Sequence, residues 1–225
     1  MTLRLLLALP VAALAVCSGG CGRATPEQDF WRWFERNEPT LFDYEKDRER
    51  TFDRLISELH KVNSSLTFEF GPRRDGRREF TLSADGVLAA FPKVESLYAA
   101  APALPRWHFL KFRQRQKPTS ISFGGVSVDS RAVKAQAEPA GQKVDLTLFV
   151  PGYSETDKQT YNAITFLFLD QTLGEYDVEM RVGGIVVRPV SEAPAQTCSL
   201  EKLPEVFDAF LKTISGPQMN TDKRR

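Results

Sequence analysis

The chain has 225 residues, of which 42% are hydrophobic and 26% are charged, and its 30 basic and 29 acidic side chains give a net charge of +1. That composition is typical of a globular protein long enough to bury a sizeable core. The near-zero net charge argues against a broad nucleic-acid surface, which needs a clear basic excess. The 3 cysteines are too few for a disulfide scaffold, and the 16 phenylalanines argue against wholesale disorder.

The first 20 residues have the pattern of an export signal. Arg4 precedes an apolar run over 5–16, which is too short to cross a bilayer comfortably. A positive start, an apolar middle and an exit of small residues are typical of a secretory signal. We therefore predict a signal peptide at 1–20 and a linker at 21–25, with an N-terminal membrane anchor or a buried helix as the alternatives.

The exit from the apolar run resembles a bacterial lipoprotein signal, in which a small residue precedes the cysteine that receives the lipid. Gly20 stands directly before Cys21, whereas the bulky Val16 stands before the other candidate, Cys17. The resemblance implies lipidation at Cys21 and a tether on the extracytoplasmic side that does not span the membrane. Ordinary cleavage near 22–24 is the alternative, and it would release a soluble secreted or periplasmic protein.

Hydrophobic periodicity and turn residues predict a mixture of helices and strands. Helices come first, at 26–37, where Pro39 breaks the helix, and at 43–62. The period then changes to two, and Asp75-Gly76 is typical of a hairpin turn. The first half then comprises strands at 66–70 and 80–84, a helix at 87–101, a strand at 106–113 and a bent strand or strand pair at 120–128.

The second half repeats this order without sequence identity to the first. Its elements are strands at 132–138 and 142–150, a helix at 155–173, a strand at 177–189 and a final helix at 200–214. The helix at 155–173 is apolar on nearly every side, which predicts that it is largely buried at the centre of the fold.

We therefore predict one α+β domain over 26–214, with two N-terminal helices and one C-terminal helix. Its mostly antiparallel sheet comes from two ββαβ-like units at 66–128 and 132–189, which form either one continuous sheet or two lobes. The tail at 215–225 has the composition of a disordered segment.

Several motifs of this body resemble an uncharacterised bacterial domain family of unknown function. They are Phe30-Trp31-Arg32-Trp33-Phe34, Leu66-Thr67-Phe68-Glu69-Phe70, Ser83-Ala84-Asp85-Gly86, Ala101-Pro102 with Trp107, and Leu173-Gly174-Glu175. The likeness covers about residues 28–188 and implies no activity and no catalytic residues. Other members look cytosolic, so an export signal would be a departure from the family.

The sequence lacks the motifs of the common catalytic and cofactor sites. His60 and His108 are its only histidines, and it contains no HExxH or CxxC, which argues against a zinc site. It also lacks GxSxG, Walker A and GxGxxG motifs. We predict no metal and no cofactor, and we expect Cys198 to be a buried apolar residue rather than a reactive thiol.

Four carboxylates follow one another near the end of the long helix. Asp170 opposes the helix dipole, and the period of the predicted strand puts Glu175, Asp177 and Glu179 on one face. Such a cluster could hold an acid of raised pKa or bind a hard cation, and a solvated strand edge is the alternative. The cluster underlies the second function hypothesis, a carboxylate-dependent hydrolase that uses Asp170 and Glu175, with or without a divalent cation.

Charge is divided unevenly along the chain. Residues 71–117 hold ten basic and four acidic side chains, and residues 135–210 hold five basic and twelve acidic ones. A two-sided surface of this kind could meet an anionic partner or lipid headgroups, and a surface of mixed sign is the alternative. The candidate contact residues are Arg73, Arg74, Arg77, Arg78, Lys111, Arg113 and Arg115.

The first function hypothesis joins the export signal to this charge pattern. It is an exported, lipid-anchored binding or accessory domain that acts through protein–protein contact rather than catalysis. Export and the near-neutral charge both argue against a nucleic-acid partner.

Overall fold

The computed structural model describes residues 23–214. The predicted signal peptide, Cys21 and the predicted tail at 215–225 lie outside the described residues. Within 23–214, none of the helices combines the length and the apolar character needed to cross a membrane.

The described residues form six α-helices and three mostly antiparallel sheets, which is an α+β fold. The α-helices are α1 (Pro26–Phe42), α2 (Arg48–Leu59), α3 (Phe91–Ala99), α4 (Lys158–Leu173), α5 (Glu175–Arg181) and α6 (Leu203–Ile214). The strands are β1 (Thr67–Arg74), β2 (Arg77–Ser83), β3 (Trp107–Lys111), β4 (Ile121–Phe123), β5 (Val126–Val128), β6 (Lys134–Ala140), β7 (Lys143–Val150), β8 (Val182–Pro189) and β9 (Cys198–Ser199).

The first sheet contains β1, β2 and β3 in that order. β1 and β2 are antiparallel, and the turn between them is formed by Asp75 and Gly76, whose φ angles of 51° and 74° suit a two-residue hairpin. β3 runs parallel to β2 because α3 crosses between them. Buried aromatic side chains of α1, such as Phe30 and Phe34, pack with Phe80 of β2 to form the core of this half.

The second sheet has the order β8-β7-β6-β9. β6 and β7 form an antiparallel hairpin, and β8 returns parallel to β7 after α4 and α5. A second buried core contains Leu148 of this sheet, Ile164 and Phe168 of α4, and Phe207 of α6. The hairpin, helix and parallel strand therefore occur twice, as the two predicted units require, while the alternative of one continuous sheet is wrong.

Two predictions about the helices are wrong, the end of α1 and the burial of α4. α1 continues through Pro39 to Phe42 instead of breaking, since Leu41 and Phe42 are only 1% and 7% exposed and their burial outweighs the cost of an internal proline. α4 is only partly buried, because Phe166 and Leu167 on its outer side are exposed.

The predicted strand at 177–189 begins only at Val182, and the residues before it form α5. Gly174, with φ of 80° and ψ of 150°, ends α4 and lets a new helix start in another direction. In a helix, Glu175 and Glu179 are one turn apart and share a face, whereas Asp177 points away from them. The predicted common face of the three carboxylates is therefore wrong.

Candidate functional site

The two halves meet along residues 112–117, the stretch that follows β3. Phe112 has a φ of 61°, which turns the chain out of the strand. Its amide donates to the carbonyl of Leu82 at 2.7 Å, and the amide of Gln116 donates to the carbonyl of Gln171 at 2.6 Å. The stretch is thus hydrogen-bonded to the first sheet at one end and to α4 at the other, and we call the region where it meets the start of α5 the junction.

Glu175 is the centre of the junction and is fully buried. Its Oε1 accepts the amides of Ala84 at 2.9 Å and Gly86 at 3.3 Å, and its Oε2 accepts the amide of Arg113 at 3.1 Å. Its own amide donates to the Arg113 carbonyl at 3.1 Å. Both carboxylate oxygens are engaged by backbone, so this predicted catalytic residue acts as a clamp between the halves.

Gly174 makes this close contact sterically feasible. A Cβ atom at this position would lie 3.0 Å from the carbonyl oxygen of Arg113. Its φ of 80° and ψ of 150° also belong to a region that is nearly confined to glycine. The sequence motifs at 83–86 and 173–175 therefore meet each other at the junction.

Arg113 gathers three carboxylates at the edge of the junction. It pairs with Glu69 at 2.5 Å, with Asp85 at 2.6 Å and with Asp170 at 3.4 Å. Burial, together with the negative charges of Glu175 and Glu179, raises the pKa of Asp170 to about 6 despite the opposing effect of Arg113. The sequence prediction of a carboxyl group with a raised pKa therefore fits Asp170, and its cause is burial together with crowding by like charges.

Arg115 links the junction to α5 and α6. Its guanidinium pairs with Asp177 of α5 at 2.6 Å and with Asp208 of α6 at 2.8 Å, and its Nε donates to the Leu173 carbonyl at 3.0 Å. Asp177 is therefore an ion-pair partner of Arg115 rather than a member of a catalytic cluster. The basic stretch of the first half thus pairs with carboxylates of the acidic second half.

Five of the seven basic residues predicted to meet an anionic partner pair with carboxylates of their own chain. Besides those of Arg113 and Arg115, the pairs join Arg73 to Asp43 and Glu45, Arg78 to Glu45, and Lys111 to Glu95. Arg74 and Arg77, beside the β1–β2 turn, are exposed and form no ion pair with any residue of 23–214. The structure therefore leaves two of the seven charges unpaired by the described residues.

An open groove lies between the Asp85–Gly86 turn and the outer side of α4. It consists of two adjoining cavities of about 300 and 290 Å³, which share Asp85, Leu167 and Asp170. The second cavity is lined by Phe166 of α4 and by Phe123. Phe123 lies at the tip of the hairpin that the antiparallel strands β4 and β5 form. Sequence reasoning missed this groove because a helix that is apolar on nearly every side predicts burial on every side.

A metal site and a reactive thiol, which the sequence analysis also considered, have little support in the described residues. Within 23–214, no three His, Cys, Asp or Glu side chains come together to hold a metal ion. Cys198 is half-buried, and desolvation raises the pKa of its thiol, which disfavours the reactive thiolate.

Comparison with protein-family models, with curated proteins and with solved structures finds no match. Glu175 and Arg115 hold the two halves together, whereas Asp170 borders an open apolar groove.

Proposed function

We propose that this chain is an exported binding or accessory domain, held at the membrane by a lipid on Cys21, that acts through contact with a protein partner. The single observation that carries the binding role is the groove, where three large apolar side chains lie 42–48% exposed beside a group of carboxylates. Large apolar side chains grouped on a surface are typical of interaction sites.

The burial of Glu175 supports a binding role over a carboxylate-dependent hydrolase. Asp170 alone favours the hydrolase, because a carboxyl group with a pKa of about 6 beside a cavity suits general acid–base chemistry. A panel of chromogenic esters, phosphate esters and glycosides tests this second candidate. Turnover by the wild type that is lost in Asp170→Asn would favour the hydrolase.

The lipid tether would keep the domain close to the bilayer. α1 begins at Pro26, so only the predicted linker at 21–25 separates it from the lipid. Five extended residues span at most about 17 Å. The groove would then work near the membrane surface, against a partner that is in or on the same membrane.

The tether is tested by expressing the full chain in a bacterial host that processes lipoproteins and measuring the intact mass of the mature protein. We expect an acylated N-terminus at Cys21 and recovery in the membrane fraction. Cys21→Ser should abolish both, and the matched variant Cys17→Ser should abolish neither. An unmodified mature N-terminus beyond residue 21 would overturn the tether.

The binding role is tested by site-specific photo-crosslinking in the native host. A photoreactive residue is placed in turn at Leu167 in the groove, at Arg74 on the first hairpin and at Val186 on β8. We expect a discrete protein adduct from the surface that binds the partner. No adduct from any of the three positions would overturn the binding role.

A further inference from the structure

We propose that the groove binds a segment of the protein partner in which a lysine or arginine stands beside apolar side chains. The inference rests on the proposed binding function and specifies its site and the chemistry of its ligand. The groove is bounded by the Asp85–Gly86 turn, by α4 and by the tip of the β4–β5 hairpin.

The apolar wall of the groove is a second stripe along α4. Ile164 and Phe168 face the core with no exposure. Ala163, Phe166 and Leu167, at the spacing of neighbouring turns, lie on the other side and line the groove. Phe166 and Leu167 are 47% and 42% exposed, so the described residues leave nearly half of each uncovered.

The rim of the groove carries an excess of negative charge. Asp85 has a side chain that is 71% exposed, Glu69 one that is 46% exposed and Asp170 one that is 25% exposed, and Glu179 also lines the groove. Arg113 is the one cationic residue among the residues that line the two cavities. Four carboxylates therefore face one guanidinium.

The pKa values reflect the same imbalance. Burial raises the pKa of Glu179, and the charge of Glu175 raises it further. The pKa of Asp170 is raised by burial and by the charges of Glu175, Glu179 and Asp85. A cation that entered the groove would relieve this crowding, whereas an anion would increase it.

A lysine or arginine side chain matches both parts of the groove. Its apolar stem can lie along Phe166 and Leu167 while its charged head reaches the carboxylates. The two cavities share the wall formed by Asp85, Leu167 and Asp170, so an apolar neighbour of the same segment can enter the adjoining cavity. A peptide segment therefore fits the groove better than an isolated cation does.

The test uses the full chain purified in detergent and a dye-labelled, end-blocked peptide of alternating lysine and leucine. Its two analogues carry glutamate in place of lysine or serine in place of leucine. Fluorescence anisotropy should show binding of the lysine–leucine peptide and at least tenfold weaker binding of each analogue.

Variants of the chain locate the site. Leu167→Ser should weaken binding at least tenfold, and the pair Asp85→Asn and Glu179→Gln should weaken it about fivefold. Val186→Ser is the matched control, because Val186 on β8 is 44% exposed, much like Leu167. This variant should leave the affinity unchanged.

Several results would overturn the proposal. They are failure of the lysine–leucine peptide to bind, equal binding of the glutamate analogue, and equal affinity of Leu167→Ser and Val186→Ser. A dimer that Leu167→Ser abolishes would assign the groove to a second copy of the chain. Peptide binding only by a chain shortened after Ile214 would assign the groove to residues 215–225.

The photo-crosslinking experiment separates this proposal from the proposed function. An adduct at Val186 without one at Leu167 would overturn the groove and leave the binding role standing. The absence of an adduct at every position would overturn the binding role itself.

Discussion

Asp170 and Glu175 lie five residues apart, and their surroundings give the two carboxylates opposite roles. Glu175 accepts three backbone amides and has no exposed surface. Asp170 has one ion pair, at 3.4 Å, and borders the groove. Both residues can be picked out from the sequence as candidate site residues, because they are acids near the end of a predicted helix. Their roles cannot be predicted in the same way, because they depend on residues 84–86 and 113, which are far away in the chain.

Glu175→Gln should lower the free energy of unfolding by about 2–4 kcal/mol. The glutamine amide keeps one acceptor oxygen and turns an NH₂ group towards a buried backbone donor. Urea denaturation followed by circular dichroism measures the change. Glu179→Gln is the same substitution one turn further along α5, and it should cost little because burial already disfavours the Glu179 charge. Equal losses in the two variants would contradict the clamp.

Asp170→Asn should raise the free energy of unfolding at pH 8 by about 1–3 kcal/mol. The pKa of Asp170 is raised from 3.8 to about 6, so above pH 6 the folded protein holds a charge that the unfolded chain solvates better. As the pH falls from 6 towards 3.8, the folded wild type binds the proton and this cost disappears. Denaturation of both proteins at pH 4, 6 and 8 measures the difference, and a constant difference across this range would contradict the prediction.

Local chemistry predicts some elements well and leaves others undetermined. The Asp75-Gly76 turn follows from two residues that tolerate positive φ, and the structure has that turn. α5 could not be predicted, because acids at 175, 177 and 179 fit a period of two as well as a short helix. The choice is made by the buried contact of Glu175 with the other half of the molecule.

Gly174→Ala should lower the free energy of unfolding by about 2–4 kcal/mol. An added Cβ atom would press on the Arg113 carbonyl in a backbone conformation that is nearly confined to glycine. Gly141→Ala is the control, because Gly141 also has a positive φ, of 63°, but nothing lies near its added Cβ atom. It should cost about 1 kcal/mol. Thermal or urea denaturation compares the two, and equal costs would mean that the contact at Gly174 contributes nothing.

Two hydrophobic cores, each with its own sheet, make up the described chain. The repeated order of elements was visible in the sequence because periodicity is local. The ion pairs between the halves could not be predicted, because composition gives the number of charges in a segment without showing which of them pair. Arg115 pairs with Asp177 and Asp208, so part of the uneven charge along the chain is balanced within the molecule.

The two halves should unfold together in the wild type and separately once the junction is weakened. All three tryptophans, at 31, 33 and 107, belong to the first half, so their fluorescence reports that half alone, while far-ultraviolet circular dichroism reports both. In urea, the two signals should have one midpoint in the wild type and two midpoints in Glu175→Gln. Separate midpoints in the wild type would mean that the junction does not couple the halves.

The clamp also has a consequence for the order in which the chain is made. The amides of Ala84, Gly86 and Arg113 are synthesised long before the carboxylate that they bind. If the chain is exported as it emerges, its first half must reach the far side of the membrane with these donors still facing water. That half contains every strand of its own sheet, but these three amides have no carboxylate to bind until residue 175 has been made.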